Sequence, residues 1–222
     1  MLDIIILLAL AIFFVTRLRN TLGKHIDDSQ IQKRSKGQAP GSQPDNVYPL
    51  NPQEAQAVEQ EKESNDAMML EEINDPDVTS GLMAIKEADP HFHVKEFLNG
   101  AKMAFEMIVE AYAKGDKAQL KDLLAKDVME DFAQAIDDRK AAKTTEETTL
   151  LSIKSAEIVD AKLAGKSAEI TVQFISEQIT VERDKDGEIV GGDASEPVSV
   201  TDEWTFARPV NSPNPNWMLV AT

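Results

Sequence analysis

Two long runs of alternating apolar residues, Ala168 to Val181 and Val198 to Phe206, dominate the pattern of the chain, with a Gly-containing stretch between them. In the first run Ala168, Ile170, Val172 and Phe174 share one phase, whereas Ile175, Ile179 and Val181 fall on the other. A two-residue period that slips by one asks for an extra residue, so the pattern predicts a β-bulge near Phe174 to Ser176 that bends the strand. In the second run Val198, Val200, Trp204 and Phe206 share a face and form the partner strand of a sheet with one buried side. Upstream, Leu151, Ile153, Ile158, Val159 and Leu163 begin a strand that turns at Ala164-Gly165-Lys166 into the first run.

Before the strands the period changes to that of a helix. Phe97, Ala101, Phe105, Ile108 and Tyr112 recur at spacings of three and four, widened by Leu98, Ala104 and Val109. That stripe predicts a helix from Phe92 to Lys114 packed on the sheet. Gly115 ends it, and Asp116 with Gln119 reads as the N-cap and N3 pair of a second helix carrying Leu120, Leu123 and Leu124. A third helix, Val128 to about Lys143, turns Met129, Phe132, Ala133 and Ile136 inward. Two short helical segments lead in, one with Met68, Met69, Leu70 and Ile73, the other with Leu82, Met83 and Ile85, separated at Asp75-Pro76. Helices followed by strands imply an α+β fold in which three helices cover one face of a curved antiparallel sheet.

The N-terminal pattern is of another kind. Ile4 to Val15 is an unbroken run of twelve apolar residues, followed by Arg17, Arg19 and Lys24. Its Leu, Ile, Phe and Val residues favour membrane insertion by about −3 to −6 kcal/mol in sum. At ~1.5 Å per residue the run spans about 18 Å of a ~30 Å hydrocarbon core, so Leu2, Thr16 and Leu18 join it or the bilayer thins. Basic residues follow the run instead of preceding it, which favours an uncleaved anchor over a signal peptide and places the body of the protein in the cytoplasm. The expected anchor is 1–18, including Ile4, Leu8, Ile12, Phe13 and Phe14 with Arg17 and Arg19 beside it. A basic juxtamembrane segment and flexible linker are expected over 19–66, poor in large apolar side chains from Gly37 to Glu63, then a helical lead-in over 67–91 and the folded domain over 92–222.

Charge narrows the function. The chain carries 39 acidic and 23 basic residues, a net charge of −16, which repels phosphate backbones and excludes nucleic acid as a partner of the folded part. With no cysteine, disulfides, thiolate metal sites and Cys nucleophiles are excluded. No Walker loop, dinucleotide fingerprint or nucleophile elbow is present, and neither cofactor nor metal is expected. Asp202 is the odd residue, because its phase places a carboxylate on the face of Val200 and Trp204. There it acts as an acid or base of raised pKa, or bonds Arg183, Arg208 or a backbone amide. Asp89, His91 and His93 lack a further metal ligand, and Asp184, Asp186 and Glu188 around Gly187 read as a solvated hairpin tip.

Several segments carry a family resemblance. They are Phe97-Leu98-Asn99-Gly100-Ala101 with Phe105, Ile108 and Gly115-Asp116; Phe132 with Ile136 and Arg139; Gly165; and Val200 to Arg208 followed by Asn214-Pro215-Asn216-Trp217. On these residues the chain from about Leu82 to Thr222 resembles the Tim44-like family in its small membrane-anchored bacterial, alphaproteobacterial-type form. The resemblance implies a cone-shaped fold like nuclear transport factor 2, with an apolar pocket between sheet and helices, and a role as a scaffold. This N-terminal third differs, since an apolar anchor stands where the family's namesake has its chaperone- and channel-binding extension.

The expected function is therefore a non-enzymatic adaptor tethered to the bacterial inner membrane by one span, its C-terminal domain cytoplasmic. It binds a protein, peptide or lipid in protein translocation or membrane-complex assembly, with a chaperone or translocation component as the protein partner, and it can be an oligomer. Alternatives are a lipid carrier and a small-molecule isomerase or dehydratase of the cone-fold type. The expected binding groove, for a peptide or acyl chain, is lined by Ala101, Ala104, Phe105, Ile108, Tyr112, Phe174, Asp202, Trp204 and Phe206.

Overall fold

The computed structural model describes residues 52–222, with side chains from residue 56. The expected anchor, with Ile4, Leu8, Ile12, Phe13, Phe14, Arg17 and Arg19, lies outside the described residues. Among the described residues no helix is long and apolar enough to cross a membrane. The compact unit Glu59–Thr222 holds five strands and the helices that cover them.

Helix α1, Pro52–Glu72, opens the described chain and runs through fifteen positions of the stretch expected as linker (52–66). Its segment is rich in Glu, Gln and Ala, good helix formers, and Pro52 stands at the first turn, where a missing N–H costs nothing. Almost no apolar stripe marks it, which is why periodicity passed it over. Helix α2, Pro76–Ala88, starts where Asp75 caps it, the Oδ1 accepting from the Asp77 amide at 2.9 Å, with Pro76 at N1. Helix α3, Val94–Lys114, ends at Gly115 in the left-handed conformation, φ 69°. Asp116 caps α4, Lys117–Leu123, through the amides of Ala118 and Gln119, as its position predicts. Helix α5, Lys126–Ala142, completes the set.

The strands are β1, Thr145–Ala164; β2, Ser167–Arg183; β3, Ile189–Gly192; β4, Val198–Pro209; and β5, Met218–Ala221. All pair antiparallel in the order β1-β2-β4-β5, and β3 pairs with β2 beyond β4. The α+β expectation, helices against an antiparallel sheet, holds. Helices α2 and α3 pack on β1, while α4 and α5 reach β5 at the other edge.

The predicted bulge in β2 is not there. From Ser167 to Gln178 that strand pairs β4 without a register shift, and its even-numbered residues are buried throughout. Over that stretch the inward face includes two polar residues, Ser176 and Gln178, both buried and bonded to each other, Gln178 Nε2 donating to Ser176 Oγ at 2.8 Å, and the buried phase changes only beyond it, where Thr180 is exposed and Val181 buried. Ile175 and Ile179 lie half-buried on the opposite face. The bulges are in β1 instead, where Leu151, Lys154 and Val159 are each left over at one of three register shifts against β2. Each bulge bends and twists the bulged strand, so β1 is the long strand bent in this way. Helix α2 then crosses β1 at very close range, since a Cβ built on Gly81 would stand 1.7 Å from the Ala161 carbonyl oxygen.

Candidate functional site

The residues expected to line a groove are brought together, but as core. Ala101, Phe105, Ile108, Phe174, Trp204 and Phe206 are all buried. Phe105 stacks on Phe174 with ring centroids 4.5 Å apart and touches Trp204 at 4.6 Å, and Phe174 meets Trp204 and Phe206 edge-on. Ala104 and Tyr112 are half-buried at the margin of the cluster. These rings belong to one continuous buried cluster between the sheet and the helices. The C-terminal motif closes the other end: Trp217 packs on Phe97 at 4.7 Å, under the Arg208 guanidinium 5.1 Å from its ring.

Asp202 stands on β4 opposite Phe174, half-buried, one position along the same face from Trp204. Burial pushes its carboxyl above the ordinary carboxylate range. The partners its phase suggested are engaged elsewhere. Arg208 donates to Asp89 Oδ2 at 2.6 Å, and Arg183 reaches Glu147 at 3.4 Å. Tyr112 is likewise raised, first by burial and then by the Glu146 charge, with Arg139 opposing. Arg139 ties that corner together, donating to the last-turn carbonyls of Tyr112 and Ala113 and to Glu146 Oε2.

Asp89, His91 and His93 separate rather than converge. Asp89 binds Arg208 and the Asn211 amide, His91 is exposed, and His93 points to α1. Among the described residues no group of three or more His, Asp or Glu could hold a metal ion. His93 belongs to a polar clasp that α1 makes with the domain. Its Nδ1 lies 2.8 Å from Asp66 Oδ2 and 3.2 Å from Lys86 Nζ, and its Nε2 3.1 Å from Glu59 Oε1. Asp66 Oδ1 accepts the Val94 amide at 2.8 Å, which makes a residue of α1 the N-terminal cap of α3, because His93 itself supplies no cap. Lys86 Nζ joins Asp66 to the Phe92 carbonyl. Beside the clasp, α1 and α3 leave a shallow cleft of about 360 Å³, lined by Asn65, Met68, Met69, Glu72, Lys95, Leu98, Asn99 and Lys102. Periodicity missed it. The signal available was the methionine run Met68-Met69 and the cationic positions Lys95 and Lys102 two turns apart on one helix face.

The Tim44-like domain family matches residues 78–222, from inside α2 to Thr222. The chain belongs to the Tim44-like domain family. Its Tim44-like domain therefore takes in α2, while the clasping helix α1 precedes the match. An uncharacterized protein of Rickettsia prowazekii is 25% identical over 221 residues, covering 98% of this chain and 94% of that protein. The Tim44-like domain is also similar to the mitochondrial import inner membrane translocase subunit TIM44-1 of Arabidopsis thaliana, 27% identical over 139 residues, which are 61% of this chain and 29% of that protein. Among solved structures, the intermembrane-space region of the chloroplast protein ARC6 covers 55% of the chain, 92% of its own, at 10% identity and TM-score 0.36. A member of the NTF2-like family from Streptomyces avermitilis covers 58%, 97% of its own, at 12% identity and TM-score 0.31.

Proposed function

We propose that this Tim44-like protein is a non-enzymatic adaptor that holds a protein partner beside a membrane during protein translocation or membrane-complex assembly. The observation that carries the reading is the match of residues 78–222 to a family that includes a translocase subunit of the mitochondrial inner membrane. The apolar run Ile4 to Val15 with Arg17 and Arg19 after it supplies a tether in the bacterial inner membrane with the domain on the cytoplasmic side. The filled interior supports recognition at the surface, and the α1–α3 cleft is the recess in which a partner side chain would seat. A soft methionine floor adapts to varied apolar groups, and Lys95 and Lys102 favour an acidic neighbour.

Photo-crosslinking in membranes tests the reading. A crosslinker at Met68 or Lys102 is expected to capture components of a translocation or membrane complex, and deleting residues 1–18 should abolish the adducts while releasing the domain from the membrane. Adducts with lipid alone, or identical protein adducts without the N-terminal run, would overturn it.

A further inference from the structure

The two outer edges of the sheet are finished differently. Strand β1 faces outward with three bulges, which twist an edge away from further pairing. Strand β4 carries no bulge in its pairing with β2, and its guard is the single inward-pointing charge of Asp202. Strand β5 covers it only at Thr205–Ala207, so from Val198 to Glu203 the outer edge of β4 has no partner strand among the described residues. That half of β4 is regular in its pairing with β2, and Val198, Ser199, Thr201 and Glu203 are exposed. An unpaired row of backbone amides and carbonyls is the template for β-strand addition, with alternate side chains setting the specificity.

The side chains say what would fit. On the inward face the free half presents Val198, 55% exposed, then Val200, then Asp202. The Asp202 carboxylate has no hydrogen-bond or ion-pair partner among the described residues. Between Lys185 and Arg208 the sequence carries six acidic residues and no basic one. A second copy would bring the same acidic run against this one and be repelled, whereas a basic strand would be drawn in. Directly opposed residues of an antiparallel pair have Cβ atoms about 5 Å apart, within reach of a Lys or Arg facing Asp202.

We infer that the free edge of β4, Val198 to Glu203, is a docking site for an extended segment of a partner protein whose inward residues are apolar opposite Val198 and Val200 and basic opposite Asp202. The added strand continues the sheet outward and neutralises a carboxylate that has no partner among the described residues. Its binding energy comes from backbone hydrogen bonds. Its selectivity comes from the charge at one position.

The test uses the full chain in detergent and two synthetic peptides, one alternating threonine with valine, valine and lysine, the other identical but with glutamate for lysine. Binding is read by fluorescence anisotropy and by hydrogen exchange of the Val198 to Glu203 amides. The lysine peptide is expected to slow exchange there and to bind about tenfold more tightly than the glutamate peptide. Asp202→Asn should level the two, and Asp202→Lys should invert them. Equal affinities for the parent, protection located on β1 or on the α1–α3 cleft, or protection of β4 by self-association without peptide would each overturn the assignment. Because purified components are used, such a result leaves the adaptor reading to its own experiment in membranes.

Discussion

Removing the carboxylate of Asp66 should loosen α1 without unfolding the sheet. In Asp66→Ala the cap of α3 is lost, worth about 1 kcal/mol for a bonded N-cap. The buried His93 Nδ1 contact at 2.8 Å goes with it, and a hydrogen bond to a charged group contributes roughly 1.5 to 3 kcal/mol. Lys86 is about one-third exposed and 3.2 Å away, so its share is screened and adds little. Together these put the cost near 3 kcal/mol, enough to move α1 from almost always docked to measurably open. Asp66→Asn keeps an oxygen for the Val94 amide but loses the charge, and should cost roughly half as much. Limited proteolysis within α1, followed by urea denaturation of the remainder, separates local opening from global unfolding. If Asp66→Ala changes neither by more than ~0.5 kcal/mol, or if Asn is as damaging as Ala, the clasp does not hold the helix.

Three other outcomes follow from the same structure. Trp204→Ala should destabilise the domain by about 3 to 5 kcal/mol in urea titration, since the ring is only 6% exposed and touches Phe105, Phe174 and Phe206; a cost below ~1 kcal/mol would show that the ring cluster is not the core. Gly81→Ala should cost about 2 kcal/mol or more, because its methyl would meet the Ala161 carbonyl, and a neutral result would mean that α2 does not seat so closely on β1. Burial raises the Asp202 carboxyl, so the folded state holds that proton more tightly than the unfolded chain and stability declines as pH rises from about 4 through the folded value. Asp202→Asn should match the parent below about pH 4 and exceed it at neutral pH; a difference of constant size across that range refutes the burial argument.

Where apolar residues do the holding, the sequence was readable. The α3 stripe, Gly115 as its stop, Asp116 as the next cap and the contact of Trp204 with Phe105 all follow from period and turn chemistry. Where polar residues do it, periodicity gave the wrong answer or none. Ser176 and Gln178 occupy inward positions that an apolar count assigns to the outside, so a bulge was placed in a regular strand. In β1 the inward residues Leu150, Ile153, Ala156, Ile158, Ala161 and Leu163 fall at spacings of three, three, two, three and two, which neither a strand nor a helix template describes. Helix α1 is held by Asp66, Glu59 and Lys62, charged residues in a stretch whose composition reads as linker. The residues expected to line a groove pack together as core, because side-chain volume between a sheet and its helices cannot be summed from one strand at a time.

The surplus in β1 sets a length that β2 does not have. Twenty residues of one strand lie along seventeen of the other, and at ~3.3 Å per residue the difference is about 10 Å of chain. A ribbon whose two rails differ in length cannot lie flat, so it coils, and the coil decides where α2 and α3 come to rest against β1. Shortening the longer rail at Leu151, Lys154 or Val159 would leave every pairing partner available on β2 while uncurling the ribbon by a third of that surplus. The shape of the domain is thus adjustable in single-residue steps, at positions that belong neither to its core nor to its hydrogen-bonded ladder.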